Sequence, residues 1–164
     1  MNPTVLMRNL GTLAGIVQTV SIIMGLGLAM SGLFRLKRYG EMRTFMSHQM
    51  TLASPLLTFL GGIMLLCVPL VVRTGLLSMW GTSNPLRYSG PAEGFGQLVP
   101  PIIMFVRLIG VGAFIRGIVL FSRSGREGAQ PGIMGKSMLH ILGGMLCIHI
   151  LGTLDLLKQI LGWA

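Results

Sequence analysis

The chain has 164 residues, 52% of them hydrophobic and 10% charged, and its 13 Lys and Arg against 4 Asp and Glu give a formal net charge of +9. Soluble domains carry about 25% charged residues, so a water-facing surface around a core of this size is excluded, and apolar residues gathered in long blocks point to lipid as the solvent. The basic excess lies in short segments flanked by apolar runs, which reads as membrane loop charge facing anionic headgroups; no aromatic-basic platform for nucleic acid is present.

In chain order, the first apolar run covers residues 13–34. Its Ala29-Met30-Ser31 imitates a signal-peptidase site. A run of about 22 residues suits a span better than a signal segment, and the basic residues follow it instead of preceding it, so a retained first span is expected. A basic turn, RLKRYGEMR at 35–43, and a mixed stretch to His48 come next. The second run covers 55–79. A Gly- and Pro-rich segment occupies 80–100 and disfavours a regular element. The third run covers 101–121, the loop SRSGREGAQPGIMGK follows, and the fourth run covers 137–163. Each run is long enough to cross a core of about 30 Å as a helix, and lipid requires its backbone groups to be satisfied internally. The expectation is an all-α membrane protein with four transmembrane helices in two tandem hairpins, residues 1–79 and 101–164, joined by the segment 80–100.

Orientation follows from the bases outside the runs. Arg35, Lys37, Arg38 and Arg43 lie after the first run, and Arg123, Arg126 and Lys136 after the third. Arg87, Arg8 and Lys158 are the bases on the other side. The basic turns are therefore expected in the cytoplasm of a bacterial cell, with both termini and residues 80–100 in the periplasm. Trp80 and Trp163 would fall at the outer interface, as an aromatic belt.

The halves resemble each other. LGGIML at 60–65 recurs as LGGMLC at 142–147, and GLGLAMSG at 25–32 as GVGAFIRG at 110–117. Each half would be an out-in-out hairpin, so the repeats would be parallel, related by an axis along the membrane normal.

Glycine is abundant, 24 in all. Small residues four apart let helix backbones approach closely, which matters where lipid supplies little hydrophobic force between helices. Gly25, Gly61, Gly62, Gly112, Gly117, Gly143 and Gly144 are the expected packing glycines, with at least one glycine-lined face turned to another subunit. Charge inside a span is expensive and usually has a reason. Arg73, Arg107 and Asp155 are expected at similar depth near the outer ends of their runs, with Arg73 and Asp155 equivalent in the two halves. One arginine would pair with Asp155 and the other would meet a headgroup or a partner. Arg107 and Arg116 fall on opposite faces of the third helix, which marks it as central or subunit-facing. His149 is expected in mid-membrane, bonded to another helix, and His140 at the rim.

The remaining motifs carry no chemistry. Gly135-Lys136-Ser137 lacks the first glycine of a phosphate loop, since Gln130 stands there, and no strand precedes it. Cys67 and Cys147 lack metal-ligand spacing and read as small apolar residues. No nucleophile motif or carboxylate cluster is present, so no enzyme, cofactor or metal is expected.

The stretch GKSMLHILGGMLCIHILGTLDLLKQILG, residues 135–162, resembles the C-terminal part of small inner-membrane components of type IVB secretion and IncI-type conjugation machines, the IcmC/DotE-like group and its TraQ-like relatives. The basic residue before the span, the Leu139-His140-Ile141-x-Gly143-Gly144 core and the polar turn near Thr153 carry the likeness. In that group a polar residue, often Asn, follows the double glycine, whereas His149 stands nearby here. The resemblance implies a structural subunit of a transfer apparatus, with other membrane subunits and anionic lipids as partners and no catalytic activity. A small channel built from a parallel repeat, or a pilin- or holin-like oligomer, are the alternatives.

Overall fold

A computed structural model describes residues 3–43, 52–81, 99–126 and 128–162. They form six helices: α1 (Pro3–Arg43), α2 (Ala53–Leu66), α3 (Val68–Trp80), α4 (Val99–Ser124), α5 (Ile133–Ile148) and α6 (Ile150–Ile160). No strand occurs among the described residues. Two helical stretches, Thr4–Glu41 and Val99–Ser124, are long and apolar enough to cross a membrane, and the number rises to four if each bent pair is one span. Leu13, Ile23, Phe34, Ile102, Phe105 and Leu139 are among the many large apolar side chains left exposed, which suits contact with acyl chains.

Two features depart from four straight spans joined by loops. The basic stretch after the first run is the last turns of α1, a helix of 41 residues. At 1.5 Å per residue it is about 60 Å long, twice the hydrocarbon thickness. The second and fourth runs are each broken: α2 turns into α3 through 88° and α5 into α6 through 96°. The breaks fall at Cys67 and His149.

At each break a side-chain hydroxyl meets a carbonyl beside the turn. Pro69 has no N–H to give Leu65 O, its acceptor in a continuous helix. The Ser21 hydroxyl of α1 donates to that carbonyl instead, at 3.0 Å, with Ser21 fully buried. In the other half, the Thr153 hydroxyl reaches back to Leu146 O at 2.9 Å and to His149 O at 3.1 Å. That supplies the bend with a partner for a carbonyl the turn sets free.

The packing order is α1, α2, α4, α5, with α4 also touching α1 and α6, so α4 is the central helix. Its two arginines follow suit: Arg107 is half-buried and Arg116 exposed. α2 runs antiparallel to α1: a Cβ at Gly25 would meet Leu66 N at 2.8 Å, and one at Gly32 would meet Phe59 N at 2.5 Å. α5 runs antiparallel to α4 through equivalent positions: a Cβ at Gly110 would meet Ile148 N at 2.9 Å, and one at Gly117 would meet Ile141 N at 2.8 Å. Gly62 lies on the backbone of Ala29, and Gly144 on that of Phe114. The paired positions are related by constant spacings, 85 residues in the first helix of each half and 82 in the second, and the elbow residues Cys67 and His149 share the second spacing.

Hydroxyls stitch the layers. Thr58 donates to Ser122 O at 3.1 Å, joining α2 to the last turn of α4, and Ser137 donates to Gly117 O at 2.8 Å, joining α5 to α4. In a membrane such bonds are each worth about 0.6 kcal/mol, up to about 1.7. The core gathers where α2, α3, α4 and α5 meet, around Leu65, Val68, Leu76, Phe114, Ile118, Met145 and Ile148.

Candidate functional site at the helix elbows

α3 leaves the Cys67 elbow and crosses toward α5, where Gly75 abuts Met145 and Trp80 covers His149. The Trp80 and His149 rings stack with centroids 4.9 Å apart and planes 26° from parallel. Gly152 lies in contact with the His149 ring, and a Cβ there would also stand 2.9 Å from Trp80 Cδ1. Only glycine leaves room for the stack at that position.

His149 is 8% exposed. Its Nδ1 has no hydrogen-bond partner among the described residues, nor do the buried Trp80 Nε1 and Arg107 Nε. Arg107 and Asp155 both lie close enough to act electrostatically on the ring. His149 at the second elbow thus has an indole stacked on it and a guanidinium and a carboxylate within electrostatic reach. A hydrogen bond from His149 to another helix was the expectation; the stack on Trp80 replaces it. Trp80 is half-buried in this stack, and Trp163 lies outside the described residues.

Arg73 and Asp155 occupy equivalent places in α3 and α6 and are both exposed. Neither arginine pairs with Asp155: the described residues contain one ion pair, Lys37 Nζ to Glu41 Oε1 at 3.7 Å. The expected Arg–Asp pair required straight spans. The elbows turn α3 and α6 roughly at right angles to the helices before them, so depth counted along the chain no longer gives position.

Of the expected packing glycines, Gly25, Gly61, Gly62, Gly117 and Gly144 are closely packed. Gly112 and Gly143 face open space. Gly32, Gly75, Gly110, Gly125 and Gly152 also make close approaches and were missed. Spacing held the signal for two of them: Gly25 and Gly32 are seven apart, as are Gly110 and Gly117, which keeps each pair on one helix face.

At the opposite end, Arg126 sits beside Arg35 and Arg123, and its buried Nε has no partner among the described residues. Burial, then the two neighbouring charges, hold its guanidinium below its ordinary value. His140 Nδ1 lies 2.8 Å from Lys136 O, the backbone contact expected at a rim. Cys67 and Cys147 are free and half-buried, and Cys67 is the elbow residue itself. No three His, Cys, Asp or Glu side chains converge among the described residues. Residues 82–98, most of the Gly- and Pro-rich segment, and Glu127 lie outside the described residues.

Fold and site define an all-helical membrane protein with two bent helix pairs. The chain matches no known protein family, no curated protein and no solved structure.

Proposed function

We propose that the protein is a non-enzymatic assembly subunit of a type IVB-like secretion or conjugal transfer apparatus in the bacterial inner membrane. Both termini and the segment 80–100 face the periplasm in this reading, and the two halves are copies of one hairpin. The observation that carries it is the pair of elbows. At matched positions each half bends a short helix away from the axis of the helix before it and presents an exposed charge, Arg73 or Asp155, that has no ion-pair partner among the described residues. Charges displayed at the edge of a lipid-facing bundle call for partners from other subunits. Arg35, Arg123 and Arg126 gathered at the other end support a cytoplasmic, headgroup-facing side. The likeness of residues 135–162 to secretion components supplies the kind of machine.

The test is a mild-detergent pull-down of tagged protein from its native host. Recovery with ATPases and envelope-spanning subunits supports the reading. Recovery of the chain alone as a homo-oligomer refutes it.

A second reading is a small channel or transporter. Discontinuous helices at membrane depth are where transporters place their sites. Here the elbow at His149 brings Trp80, Arg107 and Asp155 near one another. Flux in liposomes that disappears on His149→Ala would favour it.

A further inference from the structure

The double glycines are used differently in the two halves. In α2, Gly62 lies against Ala29 of its own hairpin, while Gly61 faces the other half: a Cβ there would stand 2.7 Å from Ser122 Cβ of α4. In α5, Gly144 lies against Phe114 of its own hairpin, but Gly143 has nothing within 4 Å. The second copy of the motif has kept the groove and lacks the helix that fills it.

The contact between the halves is head to tail, the second helix of one against the first helix of the next. Gly61 and Leu57 of α2 receive Ile118 and Ser122 of α4 and Gly125 just after it. Shifted by the spacings that relate the halves, the receiving positions become Gly143 and Leu139 of α5, and the entering ones Leu33, Lys37 and Gly40 of α1. Of these, Leu139 is 72% exposed and Leu33 49%. The entering face of α4 is buried, with Ile118 and Ser122 at 0%. The same face of α1 continues through Leu26 and Phe34, 57% and 63% exposed. Lys37 stands at the basic end, where its stem can lie along a neighbouring helix while the amine reaches headgroups.

We propose that the Leu139–Gly143 face of α5 receives α1 of a second copy along Leu33 and Lys37, in the register in which α2 receives α4 within one chain. The contact is heterologous. Each addition leaves one α1 and one α5 uncovered, so copies continue around a ring or along a filament. Close approach at Gly143 supplies the dispersion that holds helices together in lipid. The inference deepens the assembly reading by naming a partner, a second copy of this chain, and rests on the internal contacts instead of on the secretion likeness.

The experiment uses full-length chains in native membranes, with Cys67 and Cys147 replaced by Ala. One chain carries Gly143→Cys and the other Lys37→Cys, and the co-expressed pair is oxidised. A covalent heterodimer is expected, well above that from a Gly112→Cys and Lys37→Cys pair, since Gly112 faces open space elsewhere on its helix. Equal cross-linking in the two pairs would overturn the proposal and leave lipid as the occupant of the groove. Gly143→Leu gives a second readout that needs no cysteine: monomers are expected in native mass spectrometry where the parent chain gives higher oligomers. An unchanged oligomer distribution would also overturn it. Loss of the array with retained co-purification of secretion subunits would leave the assembly reading standing; the reverse would remove that reading alone.

Discussion

Adding one methyl group at each double glycine tests the packing directly. In an exposed helix, Gly→Ala stabilises by about 1 kcal/mol through propensity. At Gly62 the new Cβ meets backbone, 2.7 Å from Ala29 Cα, so α1 and α2 must separate. Overpacking of this kind costs about 1–3 kcal/mol. Separation also stretches the Ser21 to Leu65 O bond, one turn away at 3.0 Å, worth about 0.6 kcal/mol in a membrane. The net expectation for Gly62→Ala is a destabilisation of about 1–3 kcal/mol. Gly144→Ala should behave alike, because its Cβ would stand 2.7 Å from Phe114 N. Gly27→Ala and Gly112→Ala, with nothing within 4 Å, should be neutral or stabilising by up to about 1 kcal/mol. Gly61→Ala and Gly143→Ala divide the same way in monomers, the first destabilised and the second not. The assay is reversible unfolding of monomers in mixed micelles, titrated with a denaturing detergent and followed by far-ultraviolet circular dichroism. If Gly62→Ala and Gly27→Ala shift the midpoint in the same direction and by similar amounts, the close-packed interface is wrong.

Other perturbations reach the elbows and the charged ends. Ser21→Ala should cost about 0.6–1.7 kcal/mol in the parent chain and little in Pro69→Ala, where a backbone N–H regains Leu65 O; a double-mutant cycle with no coupling would refute the Pro69 account. Gly152→Val should break the Trp80–His149 stack, read as a change in Trp80 emission in a Trp163→Phe background; unchanged emission would refute the stack. Arg126 is a base whose value burial and Arg35 lower in the folded state, so its charge opposes folding at every pH below that value, which includes all working pH. Arg126→Gln and added salt should therefore each raise the unfolding midpoint, and a drop with either would contradict the repulsion. Asp155→Arg should leave monomer stability within about 0.5 kcal/mol, since the residue is exposed and without an ion pair among the described residues, yet lower co-purification with partners.

Sequence by itself determined the solvent and the element type. Long apolar blocks with few charges belong in lipid, and lipid leaves a backbone little choice but helix, so both follow from sums along the chain. The recurrence of glycines that meet at the helix crossings was also legible: Gly25 with Gly110, Gly32 with Gly117, Gly62 with Gly144. Direction was not. A hydropathy sum is the same for a straight helix and for one turned through 88°, and the turn depends on a single missing N–H at Pro69 and on Ser21, 44 residues away, to satisfy the carbonyl it frees. Once α3 and α6 turn roughly at right angles to the helices before them, the depths assigned to Arg73 and Asp155 no longer bring a base to an acid, and His149 meets an indole instead of a hydrogen-bond partner. The two double glycines read alike in the sequence. Only tertiary structure separates Gly61, filled by α4, from Gly143, left open, because that difference lies in which helix stands alongside and not in the residue.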